Sequence, residues 1–189
     1  IFGALSAGAV QQRRSFLVDS LNQPIASELL TLTDEPLLVG GGGSQHYDGE
    51  GIASRRRPVI EQGVLRTFFV DTYYGSKLGW EPTTAGSSNT VFEHGERDLA
   101  AILAGCEDGI YVTSWLGGNA DMTTGDFSFG LTGHLVKGGE LVAPISEMNV
   151  TGNYKEILKG LVEVGNDPIP WSSFRAPTLV FEKVQFGGL

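Results

Sequence analysis

The chain has 189 residues, 41% of them hydrophobic and 19% charged, an ordinary globular composition that excludes disorder. A formal net charge of −9 sets its surface against phosphate backbones, which argues against direct nucleic-acid binding. No run approaches the ~20 apolar residues of a spanning helix, and a single cysteine, Cys106, excludes an intrachain disulfide.

The first ten residues read as the end of an apolar helix or a short linking segment. Ser15 to Val18 reads as a strand ended by the turn Asn22-Gln23-Pro24, and Leu29 to Leu32 as a second extended run broken at Asp34-Glu35-Pro36. Gly40 to Ser44 is a native glycine loop, because the specific sequence Tyr47-Asp48-Gly49-Glu50-Gly51 follows it; no lysine makes it a phosphate loop. Arg55-Arg56-Arg57 is a solvated strand face or a neutralising partner for nearby acids.

Two hairpins are the clearest local features: Pro58 to Leu65 around Gly63, and His134 to Val142 around Gly138-Gly139. One helix is predicted near 98–108, where Leu99, Ile102, Leu103 and Cys106 share a face behind Asp98, with Gly109 after its end. That placement makes Cys106 a buried, inert thiol. A second helix is predicted near 153–163, capped by Asn153 and lined by Tyr154, Ile157, Leu158 and Leu161. Pro177 to Val184 closes the chain as a strand. Glycine, 27 of 189 residues, is scattered in the way that many short turns require. The expected fold is α+β and β-dominated, mainly antiparallel strands and hairpins with two or three helices. No linker divides it, so residues 1–189 are read as one domain. With no initial Met and Ile1 as first residue, it reads as a fragment whose upstream half is missing.

The residues announce no catalytic centre. His46, His94 and His134 are each about forty or more positions apart, with no second histidine at the helical spacing a zinc peptidase uses. Gly-x-Ser-x-Gly does not occur; Phe127-Ser128-Phe129-Gly130 comes nearest, but Asp126 stands where glycine is needed. No dinucleotide fingerprint is present. Asp126, Glu140 and Glu147 could supply a carboxylate pair, although their spacing does not demand it.

Several stretches in order resemble the C-terminal half of the TldD/PmbA family, once called modulators of DNA gyrase. They are Arg14 to Leu17, Ser44 to Gly51, Asp71 to Tyr74 with Lys77-Leu78-Gly79, Gly109 to Thr113, and Thr124 to Ser128 with Gly130. Gly152-Asn153, Val164 to Asp167 and Ala176 to Leu179 follow downstream. The resemblance implies a cytoplasmic protein acting with a homologous TldD-like subunit, or with itself as a dimer, on unfolded peptides. In that family one type carries His-Glu-x-x-x-His upstream and a cysteine near the C-terminal end, which hold zinc; the TldE/PmbA type lacks these ligands. Here Asn166 to Pro177 contains no cysteine, and Cys106 lies some sixty residues earlier. The resemblance therefore implies the metal-free type: no cofactor in this chain, zinc in a homologous partner. Two other readings stay open, a zinc metallopeptidase with His-Glu-x-x-x-His in the missing half, and a peptide-binding module with no peptidase role. Asp48, Glu50, Asp126 and Ser128 are loop positions shared with the family, either touching substrate or stabilising turns.

Overall fold

The computed structural model describes residues 1–188. The chain opens with a 3-10 turn at Phe2–Leu5 and helix α1 at Ala7–Gln11, whose first turn is capped by the Ser6 hydroxyl accepting from the Ala9 amide at 3.1 Å. Ala4, Leu5, Ala7 and Val10 bury this apolar entry, as its composition predicts.

Three strands then build the middle of a sheet. β1 (Leu32–Asp34) lies between β2 (Arg57–Glu61) and β4 (Thr90–Phe92), antiparallel to both; β3 (Val64–Leu65) extends it beyond β2. Further on, β9 (Phe174–Arg175) adds to β4 in parallel and completes five strands. The other large sheet has four strands, β5 (Asp108–Ala120), β6 (Asp126–Lys137), β7 (Glu140–Asn153) and β11 (Gln185–Gly187), in the order β11-β7-β6-β5. β8 (Leu161–Val164) and β10 (Leu179–Phe181) form a separate antiparallel pair. With helices α2 (Thr72–Leu78), α3 (Leu99–Ala104) and α4 (Tyr154–Ile157), the architecture is β-dominated α+β, and among the described residues every pairing of these strands is antiparallel except β4 with β9.

Both expected hairpins form, each through two consecutive left-handed residues. Gln62 and Gly63 have φ of 48° and 77°, and Gly138 and Gly139 have φ of 55° and 84°. Two positive φ values in a two-residue loop match the twist of the flanking strands.

Elsewhere tertiary contacts override local pattern. Ser15 to Val18 is not a strand: the Ser15 hydroxyl donates to the Ala4 carbonyl at 2.6 Å and accepts from the Leu17 amide at 3.0 Å, and turns run from Phe16 to Asp19. The second extended run starts three residues late, at Leu32, because Leu30 is drawn into a turn on the Ser27 carbonyl. α3 begins behind the Asp98 cap but ends at Gly105, so Cys106 lies beyond the helix and is only half-buried. The carbonyls of Cys106 and Glu107 accept instead from the Gly139 and Gly138 amides of the long hairpin's turn. The expected helix over 153–163 shrinks to α4 and a 3-10 turn at Leu158–Gly160, because Leu161 is buried in β8, paired with Phe181. The closing strand expected over 177–184 is cut to β10: Lys183, whose φ is 58°, turns the chain, and β11 starts only at Gln185. α2, unmarked by hydrophobic spacing, is set by its ends: the Asp71 carboxylate accepts from the Tyr74 amide at 2.7 Å, and Gly79 stops it at φ 68°.

Most buried side chains form one cluster around Leu5, Val59, Ile60 and Leu65, all fully enclosed. Phe2 and Phe92 both meet Phe174 edge-on, with ring centroids 5.9 and 5.4 Å apart. A smaller cluster of Phe127, Leu131, Met148 and Val150 lies under the four-stranded sheet.

The two turns separate conformational from steric cost. A Cβ on Gly63 would lie 2.5 Å from the Ala26 carbonyl, whereas one on Gly138 would meet nothing within 4 Å. Gly138→Ala should cost about 1 kcal/mol, the left-handed penalty alone, and Gly63→Ala about 3 kcal/mol, with overpacking added. Urea denaturation of both variants checks the ranking; equal losses would contradict it.

Candidate functional site

Asp48 closes a tight loop, and its carboxylate is engaged on both oxygens. Oδ1 accepts from the amides of Glu50 at 3.0 Å and Ile52 at 2.9 Å, and Oδ2 accepts from the Ala85 amide at 3.1 Å. Burial pushes this carboxyl up, but the Ile52, Ala85 and Glu50 amides and the nearby Arg57 charge outweigh it and hold it below the ordinary carboxylate range. Glu50 reaches the start of α2, where its two oxygens accept from the Thr72 amide and hydroxyl, each at 2.8 Å. Together the two acids bind the loop to residue 85 and to α2.

Asp126 opens β6 on its outward face. Its oxygens accept from the Asn153 side-chain amide and the Thr124 hydroxyl, each at 2.8 Å, and these two bonds, Asn153 first, hold its carboxyl below the usual range. Ser128, exposed on the same face, stands between Asn119 and Thr151 in a polar cross-strand row. Among the described residues no hydrogen bond joins the Asp48–Glu50 pair to the Asp126–Ser128 pair. They are two places, not one site.

The strongest polar anchors are residues that sequence reasoning did not single out. Asn89 is fully buried; its Nδ2 donates to the Glu35 carbonyl and the Ser44 hydroxyl, each at 2.9 Å, and its Oδ1 accepts from the Gly43 amide at 2.9 Å. The glycine loop wraps this side chain closely: a Cβ at Gly41 would lie 2.7 Å from Asn89 Nδ2, and one at Gly43 would lie 2.5 Å from the Ser88 carbonyl. Asp34, 1% exposed, accepts from the Ser88 amide and hydroxyl at 2.7 and 2.6 Å, with Arg57 Nε 3.8 Å away. Arg56 pairs with Glu35. Two of the three consecutive arginines thus neutralise neighbouring acids.

Two exposed loops lie side by side above this anchor. Val39 is 97% exposed on the glycine loop and Trp171 81% exposed on the other, and a Cβ on Gly42 would come within 3.9 Å of the Trp171 carbonyl. The loop bearing Trp171 is closed by Asp167, which accepts from the Thr178 amide at 2.9 Å and hydroxyl at 2.7 Å. Burial raises the Asp167 carboxyl, but the bonds from Thr178 prevail, helped by the Asp167 and Leu99 amides, and hold it low.

The histidines stay apart: His46 is in an exposed loop, His94 is exposed after β4, and His134 is half-buried in β6. Among the described residues no three of His, Cys, Asp and Glu converge as metal ligands would. No helix of the structure is long and apolar enough to cross a membrane.

These features define a class: a β-dominated domain whose buried polar side chains order glycine-rich loops. The PmbA/TldA metallopeptidase C-terminal domain profile matches residues 1–188. The metalloprotease PmbA of Escherichia coli O157:H7 is 30% identical over all of this chain, which covers 42% of that protein. A Bacteroides thetaiotaomicron structure, whose name proposes a modulator of DNA gyrase, is 51% identical with a TM-score of 0.96 over all of this chain and 43% of its own. TldE from Thermococcus kodakarensis is 25% identical with a TM-score of 0.89, again over all of this chain and 46% of its own. The chain belongs to the PmbA/TldD family and has the fold of its C-terminal domain, spanning less than half the length of these relatives.

A metallopeptidase family implies a metal, and a catalytic zinc generally takes three protein ligands with a fourth position open. The residues here do not fit one: the histidines lie on separate elements, and Cys106 follows α3 with its Sγ against Gly109.

Because the folded Asp48 carboxyl lies below its unfolded value, its stabilisation is complete above the ordinary carboxylate range and is lost as pH falls through the depressed folded value. Asp48→Asn should flatten the acid side of a Tm-against-pH profile, and an unchanged acid slope would refute the assignment. Asn89→Ala, which strands the Gly43 amide and leaves the Glu35 carbonyl only its long bond from the Leu38 amide, should cost about 2–4 kcal/mol in chemical denaturation and raise hydrogen exchange at residues 35–44.

Proposed function

We propose that this chain is the C-terminal part of a metal-free, TldE/PmbA-type subunit that acts with a homologous metal-bearing subunit, or a second copy of itself, in a cytoplasmic metallopeptidase assembly processing unfolded peptides. The observation that carries this reading is the loop from Asn166 to Pro177. Asp167 ties it to Thr178 across a short span, Pro168 to Pro177, that contains no histidine, cysteine or acid to hold zinc. A subunit of this kind contributes walls and peptide contacts, while zinc and its water belong to the partner. Unfolded peptides suit its free strand edges, which supply unpaired backbone donors and acceptors for an added strand. Asp48, Glu50 and Asp126 act here chiefly by holding loops in place, and Ser128 offers an exposed hydroxyl.

The full-length protein should therefore purify without stoichiometric zinc and leave peptides uncut. Cleavage should appear on adding a homologue that carries His-Glu-x-x-x-His, and should vanish when that homologue's glutamate is replaced. His46, His94 and His134 should be replaceable without changing the metal content of the mixture. Metal analysis and a peptide-cleavage assay on each protein and on the mixture decide the matter. Stoichiometric zinc with turnover by this protein alone would instead establish a catalytic metallopeptidase.

A further inference from the structure

β5 is an edge of the four-stranded sheet: it pairs with β6 on one side and, among the described residues, with no strand on the other. Two register shifts, between Val112 and Ser114 and between Trp115 and Gly117, reset its alternation. In consequence Ile110, Val112, Trp115, Gly118 and Ala120 stand opposite Leu135, Gly133, Leu131, Phe129 and Phe127. Directly opposed residues share a face. The side of β5 turned to the small core is therefore apolar or glycine along its whole length. Ile110, Val112 and Ala120 are partly buried against that core. Trp115 is 59% exposed, with its ring 5.9 Å from that of Phe129 in an edge-on contact. The apolar stripe reaches the edge of the sheet and stops uncovered.

The charge around this edge is one-sided. Residues 106–153 carry Glu107, Asp108, Asp121, Asp126, Glu140 and Glu147 against Lys137 alone, a net −5 of the chain's −9. Glu107 and Asp108 are exposed at the start of β5, and Asp121 is exposed just past its end.

We infer that the free edge of β5 accepts, by strand addition, extended peptides with apolar side chains at alternate positions and basic residues towards their ends. This rests on the peptide-binding role proposed above and names the peptide chemistry that role selects. An added strand continues the face pattern of its neighbour, so alternate side chains extend the Trp115 stripe while the others stand beside Tyr111, Ser114 and Asn119. Lysine or arginine near the peptide's ends meets Glu107 and Asp108 at one end and Asp121 at the other.

The test uses the full-length protein and three dye-labelled peptides of about 12 residues, long enough to run along β5. One alternates valine and threonine between terminal lysines, one has glutamates in place of the lysines, and one keeps the lysines but has a central proline. Fluorescence anisotropy should show the lysine peptide binding at least about tenfold tighter than the glutamate peptide at low salt, with the gap narrowing as ionic strength rises. The proline peptide should bind weakest, since it lacks a ladder donor. Trp115→Ala, and separately Glu107→Gln with Asp108→Asn, should each weaken the lysine peptide by about fivefold or more at an unchanged thermal midpoint. Equal affinity for lysine and glutamate peptides would overturn the inference while leaving strand addition standing. Indifference of the lysine peptide to Trp115→Ala would also overturn it, by placing the peptide elsewhere. Failure of all three peptides to bind would remove both the inference and the peptide-binding role beneath it.

Discussion

Asn89 is closed off from water, and a buried amide must find partners for both its donors and its acceptor. It finds them in the stretch from Glu35 to Ser44, so the exit from β1, the glycine run and the entry to β4 share one anchor. One residue earlier, Ser88 is tied to Asp34, also buried. Two consecutive positions thus grip the same loop from its base and from its tip. The glycines of that loop serve close approach more than freedom, because at Gly41 and Gly43 a side chain would collide with Asn89 or with the backbone beside it. Val39 owes its exposed position to this buried scaffold, and Trp171 to the Asp167–Thr178 closure of the loop beside it.

What the sequence reveals and what it hides divide along a physical line. The hairpins at Gly63 and Gly138-Gly139 are legible because their turn type demands residues that tolerate positive φ, a requirement satisfied locally. Helix starts are legible for the same reason: Asp98 and Asn153 cap by their own side chains. Helix ends are not, because α3 gives way to backbone bonds with a turn more than thirty residues on, and α4 to the pairing of β8 with β10. Asp48, Glu50 and Asp126 could be singled out as motif residues, yet their bonds to Ala85, Thr72 and Asn153 depend on elements that only folding brings near. Asn89 gave no signal at all. Its partners lie 45 and more positions upstream, and a lone asparagine after two serines looks like any turn residue.

The two hydrophobic clusters differ in character, and Tyr154 belongs to the border of both. Its ring stacks on Phe16 at 5.8 Å on the side of the main core and tilts against Phe127 at 5.0 Å on the side of the long sheet. Asn153 holds it there, capping α4 with one side-chain atom and gripping Asp126 with the other. The main core is walled by loops that buried polar groups fix in place. The sheet is covered at one end by α4 and the β10–β11 turn, and its β5 margin is left open. Bonded loops thus lie on one side of the domain and, among the described residues, an unpaired strand margin on the other.

The contact between Phe2 and Phe174 has a consequence for how this chain comes to be folded in a cell. A ring near the start of the domain packs on one near its end, and β9 enters the five-stranded sheet only through that late segment. During translation the ribosome releases the early residues long before position 174 emerges. At elongation rates of roughly 5–20 residues per second, Phe2 waits on the order of ten seconds or more for its partner. Over that interval the nascent chain holds an unfinished apolar surface, and its completion is a matter of timing set by topology.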